Sequence, residues 1–585
     1  MSPTRREVLA QLAALTALSA LPRSPWSAAP SSPLDGTIAD CQEGLRRGAW
    51  SAVELATQAL ERCRTSGARW RAIDALSATV LADARQADAR RKAGRSRGAL
   101  DGIPVFAKAI YDVNGLPTTG SNAEWARLFP DPVRRDSIEV ARIRAAGGIL
   151  LGKTAADDFA FRGNGTSSHT GQVLNPHDPT GTRTPGGSSA GSAVAVSCGM
   201  AFAALGTDDG GSNRIPAQFT GVVGMKPTFG LVPRTGVIPT WPYLDTHGPL
   251  ARSVADAAVY LSVIAGADAS DPLALTAAFD ASPLLSLRDD ALHGVHIGIV
   301  SDNVPRAQMT EEAVATWDRA LADLRSAGAL IEEFASPVTS ANYRDAFAAA
   351  ARARGDVPVN DWSPAPTANA LWLYFAGRSA DVEADLRRGY PAYRAFYDVL
   401  PETYGECEAL FHQPMTQDPA GQSFARSRAT VVAGLVAAMR AAQISAMVWP
   451  TMPFNAPRIV DKWPHVRTTL SYNNWLGLPE VSVPAGIGAD GMPALNVSVV
   501  GAPGDDARVL AWAHGFERQR GLGAGGPGAN AAVPAHIFTH AENQLFQRRA
   551  VGVGGGLFAR GARGERDSRG RHHRDERRRR HHGEG

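Results

Sequence analysis

The chain is 585 residues long, 44% hydrophobic and 20% charged, with a formal net charge of +3. Such a length supplies a large core, but the positive surplus misleads: residues 521–585 hold 12 Arg against 6 Asp and Glu, so the body before them is mildly acidic and shows no basic footprint for nucleic acid. Four cysteines (Cys41, Cys63, Cys198, Cys407) lack metal-ligand spacing, which leaves buried free thiols, or a Cys41–Cys63 bridge in an exported protein, as their expected states.

Residues 1–30 read as an export signal of the twin-arginine type. Arg5 and Arg6 precede an apolar run to Leu21, followed by Pro22, Arg23 and Ser27-Ala28-Ala29. The run is too short to span a bilayer well. Export to the periplasm is the expectation, with a cytoplasmic protein as the alternative, and no other segment looks transmembrane. Residues 35–95 read as helices, one of them opened by the capping box Ser51-Ala-Val-Glu54. Ile103–Lys108 is an apolar strand that ends in a lysine. A buried ammonium is costly, so Lys108 either snorkels to the surface or is held inside for a reason.

A helix over Ser137–Ala146 leads to a strand at Ile149–Leu151. Here Gly147–Thr154 fits the phosphate-loop spacing G-x4-G-K-T. The order is helix then strand rather than strand then helix, and Asp157 and Asp158 follow, so nucleotide binding is not expected. Two small-residue clusters come next, Gly186-Gly-Ser-Ser189 and Gly210-Gly-Ser212, either side of a helix at Ala190–Cys198 and a strand at Phe202–Gly206. Small residues leave a serine hydroxyl approachable and let backbone N–H groups converge, as acyl transfer requires. Ser189 also satisfies G-x-S-x-G, but Asp178–Pro185 before it is no strand, which argues against a nucleophile elbow.

Helices at Ser253–Gly266 and Thr310–Ala327 alternate with strands at Val295–Val300 and Leu330–Phe334. Strands return at Ala446–Trp449, Glu480–Pro484 and Leu495–Val500 before a last helix at Asp505–Arg520. This alternation argues for an α/β fold. Between them residues 340–440 are mostly helical, with nine aromatics from Trp362 to Tyr404. Core packing and an aromatic wall for an organic substrate both fit that density. Beyond Gly521 the Gly-, Ala- and Arg-rich sequence reads as a disordered tail.

Several of these stretches together resemble the amidase signature family of serine hydrolases. They are Gly102–Lys108, Gly152-Lys-Thr154, Gly186–Ser192, Gly206–Ser212 with Arg214-Ile-Pro216, Gly224–Thr228, Gly248-Pro249 and Arg252–Asp256, with Pro450-Thr451 and Leu478-Pro479 further on. The resemblance covers about residues 35–520. It implies one large α/β domain, a mixed sheet flanked by helices, and a Ser-Ser-Lys triad: Ser212 as nucleophile, Ser188 as bridging serine and Lys108 as base. It also implies an oxyanion hole at the N–H groups of Asp209, Gly210, Gly211 and Ser212. No metal or cofactor is called for, and the expected partner is a small-molecule amide.

Chemistry agrees with these roles. A serine hydroxyl needs an adjacent base, and a lysine serves only when neutral, which burial promotes. The chain departs from the family pattern at two points. Ala109 and Ile110 follow the lysine where Asp-Asn is common, and Asp209 stands where a small or apolar residue is usual. Asp209 either faces the acyl pocket and favours cationic substrates, or turns to structural hydrogen bonds. The expectation is an amide hydrolase working through an acyl-enzyme on Ser212. Two alternatives stand beside it: the glutamine-hydrolysing component of an amidotransferase, and a catalytically silent binding protein of the same fold.

Overall fold

A computed structural model describes residues 32–357 and 363–521. The expected export signal, Trp362 and the tail beyond Gly521 lie outside them. The N-terminal helices Ile38–Arg47 and Ala52–Arg62 both start at capping boxes, Thr37 with Asp40 and Ser51 with Glu54. In each the side chains satisfy two backbone donors that the first turn leaves open.

The described strands are β1 (Ile73–Leu76), β2 (Pro104–Lys108), β3 (Ile149–Thr154), β4 (Thr166–Ser167), β5 (Gly171–Gln172), β6 (Ala203–Asp208), β7 (Val223–Lys226), β8 (Thr246–Ala251), β9 (His296–Ile299), β10 (Leu330–Glu333), β11 (Ala446–Pro450), β12 (Glu480–Ile487) and β13 (Pro493–Val500). Apart from the β4–β5 pair they form one sheet in the order β1-β3-β2-β6-β8-β7-β12-β13-β11-β9-β10. The sheet is mixed. β3, β2 and β6 run parallel to one another, as do β11, β9 and β10, while β6 through β11 alternate in direction. The central strands are sealed on both faces, which explains their near-continuous apolar runs.

One consequence of the parallel trio fixes the site. Lys108 at the end of β2 pairs with Thr154 at the end of β3, and Phe106 pairs with Ala204 in β6. The carboxyl ends of all three strands therefore open at one edge of the sheet, where α/β folds place their ligands.

β1, β7 and β8 are additions to the sequence reading. β8 contains Gly248-Pro249, a pair that looks like a turn. Its neighbour β7 pairs only with Leu250 and Ala251, so the donor that Pro249 lacks is not needed on that side. The phosphate-loop lookalike is indeed strand: Lys153 lies inside β3 and donates to the carbonyl of Pro117 at 2.9 Å. All four cysteines are free. Most described aromatics between 363 and 404 are core, with Tyr374, Phe375, Tyr390, Tyr393 and Tyr397 buried. Tyr393 and Tyr397 also donate to the carbonyls of Pro239 and Phe159, bracing two loops beside the strand ends. No helix of the described residues is long and apolar enough to cross a membrane.

Close approach of backbones makes some glycines obligatory. A Cβ on Gly191 would sit 2.3 Å from the carbonyl oxygen of Ala72 and 2.5 Å from that of Ala155, whereas one on Gly434 would meet nothing within 4 Å. Gly191→Ala is expected to cost about 3 kcal/mol of stability, and Gly434→Ala, inside the helix Pro419–Ala441, to gain about 0.5–1 kcal/mol. Urea denaturation of the two variants checks both signs.

Candidate active site

Lys108 is completely buried, and its Nζ lies 2.8 Å from Ser188 Oγ and 2.8 Å from Thr207 Oγ1. Each contact follows from the strand ends. β2 delivers the lysine, β6 delivers Thr207 beside it, and the Gly186–Ser189 loop brings Ser188 over both. A cis peptide joins Gly187 to Ser188. That loop fits against Asp157, whose N–H donates to the Ser188 carbonyl at 3.2 Å; a Cβ on Gly187 would press within 2.8 Å of Asp157 Oδ1.

Ser212 lies four residues beyond β6 and is 8% exposed, while Ser188 is sealed. The two serine loops are tied directly, because the N–H of Ser189 donates to the carbonyl of Ser212 at 3.2 Å. Ser189 itself is occupied with structure: its Oγ lies 3.2 Å from Asn213 Oδ1 and 3.3 Å from the carbonyl oxygen of Thr207. Its G-x-S-x-G spacing is coincidental to the chemistry.

Beneath Ser212 lies a fully buried ion network. Arg214 grips Asp208 with Nε at 3.0 Å and Nη2 at 2.8 Å, and reaches Glu480 with Nη1 at 2.7 Å. Asn474 accepts from Nη2 at 2.6 Å and donates to the Asp208 carbonyl at 2.6 Å. Burial would raise the Asp208 carboxyl, but the Arg214 guanidinium and the N–H groups of Asn213 and Gly211 hold it well below the usual range. Charges sealed at this depth are tolerable only when each is paired and hydrogen-bonded.

The network bears on one expectation. The Gly211 N–H donates to Asp208 Oδ1 at 2.7 Å, so it is engaged in shaping the loop. Asp209, Gly210 and Ser212 are left as the loop's candidate oxyanion donors. Gly211 has φ +110°, and a Cβ there would strike Leu470 Cδ2 at 2.7 Å. Glycine is required by both conformation and space.

Asp209 takes the second of the two orientations expected for it. Its side chain turns inward, 4% exposed, and Oδ1 accepts from Thr240 Oγ1 at 2.5 Å. Burial and the nearby Asp245 push this carboxyl well above its ordinary value. A carboxyl sealed from solvent and turned to Thr240 presents no side chain to a cationic substrate. It faces structural hydrogen bonds instead.

Electrostatics set the lysine's state. Burial lowers Lys108 to about 8, opposed by Asp209, Asp157, Asp245 and Asp208. Burial likewise lifts Asp157 to about 7. Nearby, Phe161, Trp241 and Tyr397 pack in tilted and edge-to-face pairs, with ring centroids 5.5–5.9 Å apart. Trp241 follows the Thr240 that holds Asp209. Phe161 lies two residues before Gly163, where a Cβ would face the Gly187 carbonyl and Trp463. Of the three residues expected from the sequence, Lys108 and Ser188 are in direct contact and the Ser212 loop is tied to Ser189, while Thr207, Asp157, Thr240 and Glu480 were not expected at the site. Glu480 left a trace, a carboxylate at the head of an apolar strand; the others left none.

A family model described as Amidase matches residues 54–510. The glutamyl-tRNA(Gln) amidotransferase A subunit from Symbiobacterium thermophilum is 34% identical over 80% of this chain and 93% of its own length. The protein of the same name from Cereibacter sphaeroides is 32% identical over 83% and 97%. Among solved structures, the peptide amidase of Stenotrophomonas maltophilia superposes with a TM-score of 0.69 at 29% identity, covering 86% of this chain and 99% of its own.

Removing one member of the buried network would strand the rest. Arg214→Met is expected to lower the free energy of unfolding by about 3–5 kcal/mol and to abolish activity in whatever protein still folds. Denaturant titration alongside a turnover assay checks both.

Proposed function

Since the chain belongs to the amidase family and is an amide-hydrolysing enzyme, we propose that it works through an acyl-enzyme on Ser212, with Ser188 and Lys108 as the proton relay. The observation that carries this reading is the 2.8 Å contact between a sealed lysine amine and Ser188 Oγ. As a neutral amine Lys108 donates to Thr207 and turns its lone pair to the Ser188 hydroxyl. Ser212 attacks the amide carbonyl carbon while its proton passes to Ser188, and the Ser188 proton passes to Lys108. The relay then reverses: the proton moves to the amide nitrogen, the C–N bond breaks, and amine or ammonia leaves. Water repeats the cycle on the ester and frees the acid and Ser212.

The oxyanion formed twice on this path would be received by the N–H groups of Asp209, Gly210 and Ser212. A preorganised donor of this kind contributes about 3–4 kcal/mol to the transition state. Phe161, Trp241 and Trp463, each half-buried beside the serine loops, suit a substrate with an apolar or aromatic group next to its amide.

A second reading is favoured by the names of the sequence relatives. As the glutamine-hydrolysing component of an amidotransferase, the chain would release ammonia to a protein partner. Assays of the purified chain, alone and with an amidotransferase partner added, separate the two readings. Turnover of a simple aryl amide without glutaminase activity supports the free-standing enzyme, and glutaminase activity that appears only with a partner supports the amidotransferase.

Ser212→Ala and Lys108→Ala are each expected to reduce aryl-amide turnover on the order of 10^4-fold or more. A fluorophosphonate probe should label the wild type and not Ser212→Ala. The base is the neutral amine, so kcat/KM should rise with pH through about 8 and fall as Lys108 gains its proton below that. Full activity in either variant would overturn the triad.

A further inference from the structure

The sheet holds a second parallel trio besides β3, β2 and β6, namely β11, β9 and β10. Between β6 and β11 the pairings through β8, β7, β12 and β13 are all antiparallel, so strand direction reverses five times. The second trio therefore points opposite to the first. Its carboxyl ends open at the other edge of the sheet, away from Lys108.

The crevice outside the carboxyl ends of parallel strands is where α/β folds bind ligands, and a cavity of about 150 Å3 lies at these ends. Its lining comes from the end of β9 and the loop after it, from the end of β11, and from the helix Glu311–Ser326. The floor is apolar, with Val300, Val304, Trp317, Leu321 and Trp449 all buried. The polar lining, Ser301, Arg306 and Glu333, is exposed and forms the mouth. There Ser301 Oγ donates to Glu333 at 2.8 Å, and Arg306 donates to Asp318 at 2.7 and 2.6 Å. The guanidinium is thus committed to a carboxylate of its own surface.

Two observations point to a ligand. Protein interiors keep few voids larger than a water molecule, and this one has the volume of an apolar cavity that takes up benzene. The other observation is Trp449, which lines the cavity at 1% exposed and packs on Tyr472 with ring centroids 6.0 Å apart. Its indole Nε1–H is buried with no hydrogen-bond partner among the described residues. A buried donor left unmade is costly, and an indole N–H can only donate. Its complement is an apolar body that carries a lone pair.

We propose that this cavity is a second small-molecule site, which takes a neutral compound the size of one six-membered ring with an oxygen acceptor for the Trp449 N–H. A net charge on the ligand would lose its hydration against the apolar floor without gaining a counter-ion there. The site shares no residue with Lys108, Ser188 and Ser212, and its occupation does not depend on the acyl-enzyme chemistry.

Phenol and toluene match in size and differ in the acceptor, so they are the probes. Titration calorimetry on the full chain should show saturable phenol binding at millimolar concentrations, with toluene about five- to tenfold weaker. Trp449→Phe removes the donor and should abolish that preference. Val304→Phe fills the floor and should abolish binding of both probes, and both variants should keep wild-type aryl-amide turnover. If Val304→Phe gives no cooperative unfolding transition, wild-type kinetics decide the location: phenol in this cavity does not compete with the amide substrate. Competitive inhibition with a constant equal to the phenol dissociation constant would place the probe in the catalytic cleft and overturn the proposal. So would phenol binding that does not saturate, equal affinity of the wild type for the two probes, a preference that survives in Trp449→Phe, or binding that persists in folded Val304→Phe.

Discussion

A lysine amine taken out of water is the constraint around which this molecule is arranged. An isolated ammonium at that depth would cost several kcal/mol, and the chain meets the cost by lowering the amine's pKa to about 8. That choice requires hydroxyls rather than carboxylates in direct contact, and Ser188 and Thr207 are both hydroxyls. It also requires that nearby negative charge be committed elsewhere. Asp208 is tied to Arg214 and Asp157 to backbone N–H groups. The chemistry of the site and the stability of its surroundings are thus one electrostatic arrangement.

The second organising element is the guanidinium of Arg214. It satisfies Asp208, Glu480, Asn474 and the Leu470 carbonyl at once, joining β6, β12 and the helix Leu470–Leu476 under the Ser212 loop. Asp208 then uses both oxygens to hold the N–H groups of Gly211 and Asn213. The loop's curvature is consequently built from charge-assisted hydrogen bonds, the strong and directional kind. The network positions the Ser212 loop without touching the Ser212 hydroxyl.

Much of this was legible in the sequence because local rules and global fold agree. The capping box at Ser51, small-residue clusters and apolar runs each point to the element that forms. Lys108 stood out because it breaks a rule, ending an apolar strand with a charge. β8 was missed because Gly248-Pro249 carries the local signature of a turn, which its place between β6 and β7 overrides. The partners of Asp209 were illegible for a different reason. Thr240 is 31 residues away, and no local pattern announces which side of a loop a carboxyl will take. The same holds for Gly211, whose role as a donor to Asp208 depends on a loop closed by residues far downstream.

The sheet order carries a consequence for how the protein is made. The segment from β1 to β8 holds Lys108, Ser188 and Ser212, all within the first half of the chain. Its open edge at β7 is covered by β12, and Arg214 waits for Glu480, 266 residues later. A growing polypeptide therefore carries every reactive group long before it can close the cradle beneath them, and contacts of such long range are slow to form. The cradle beneath Ser212 is complete only when β12, from the C-terminal part of the chain, takes its place beside β7 in the middle of the sheet.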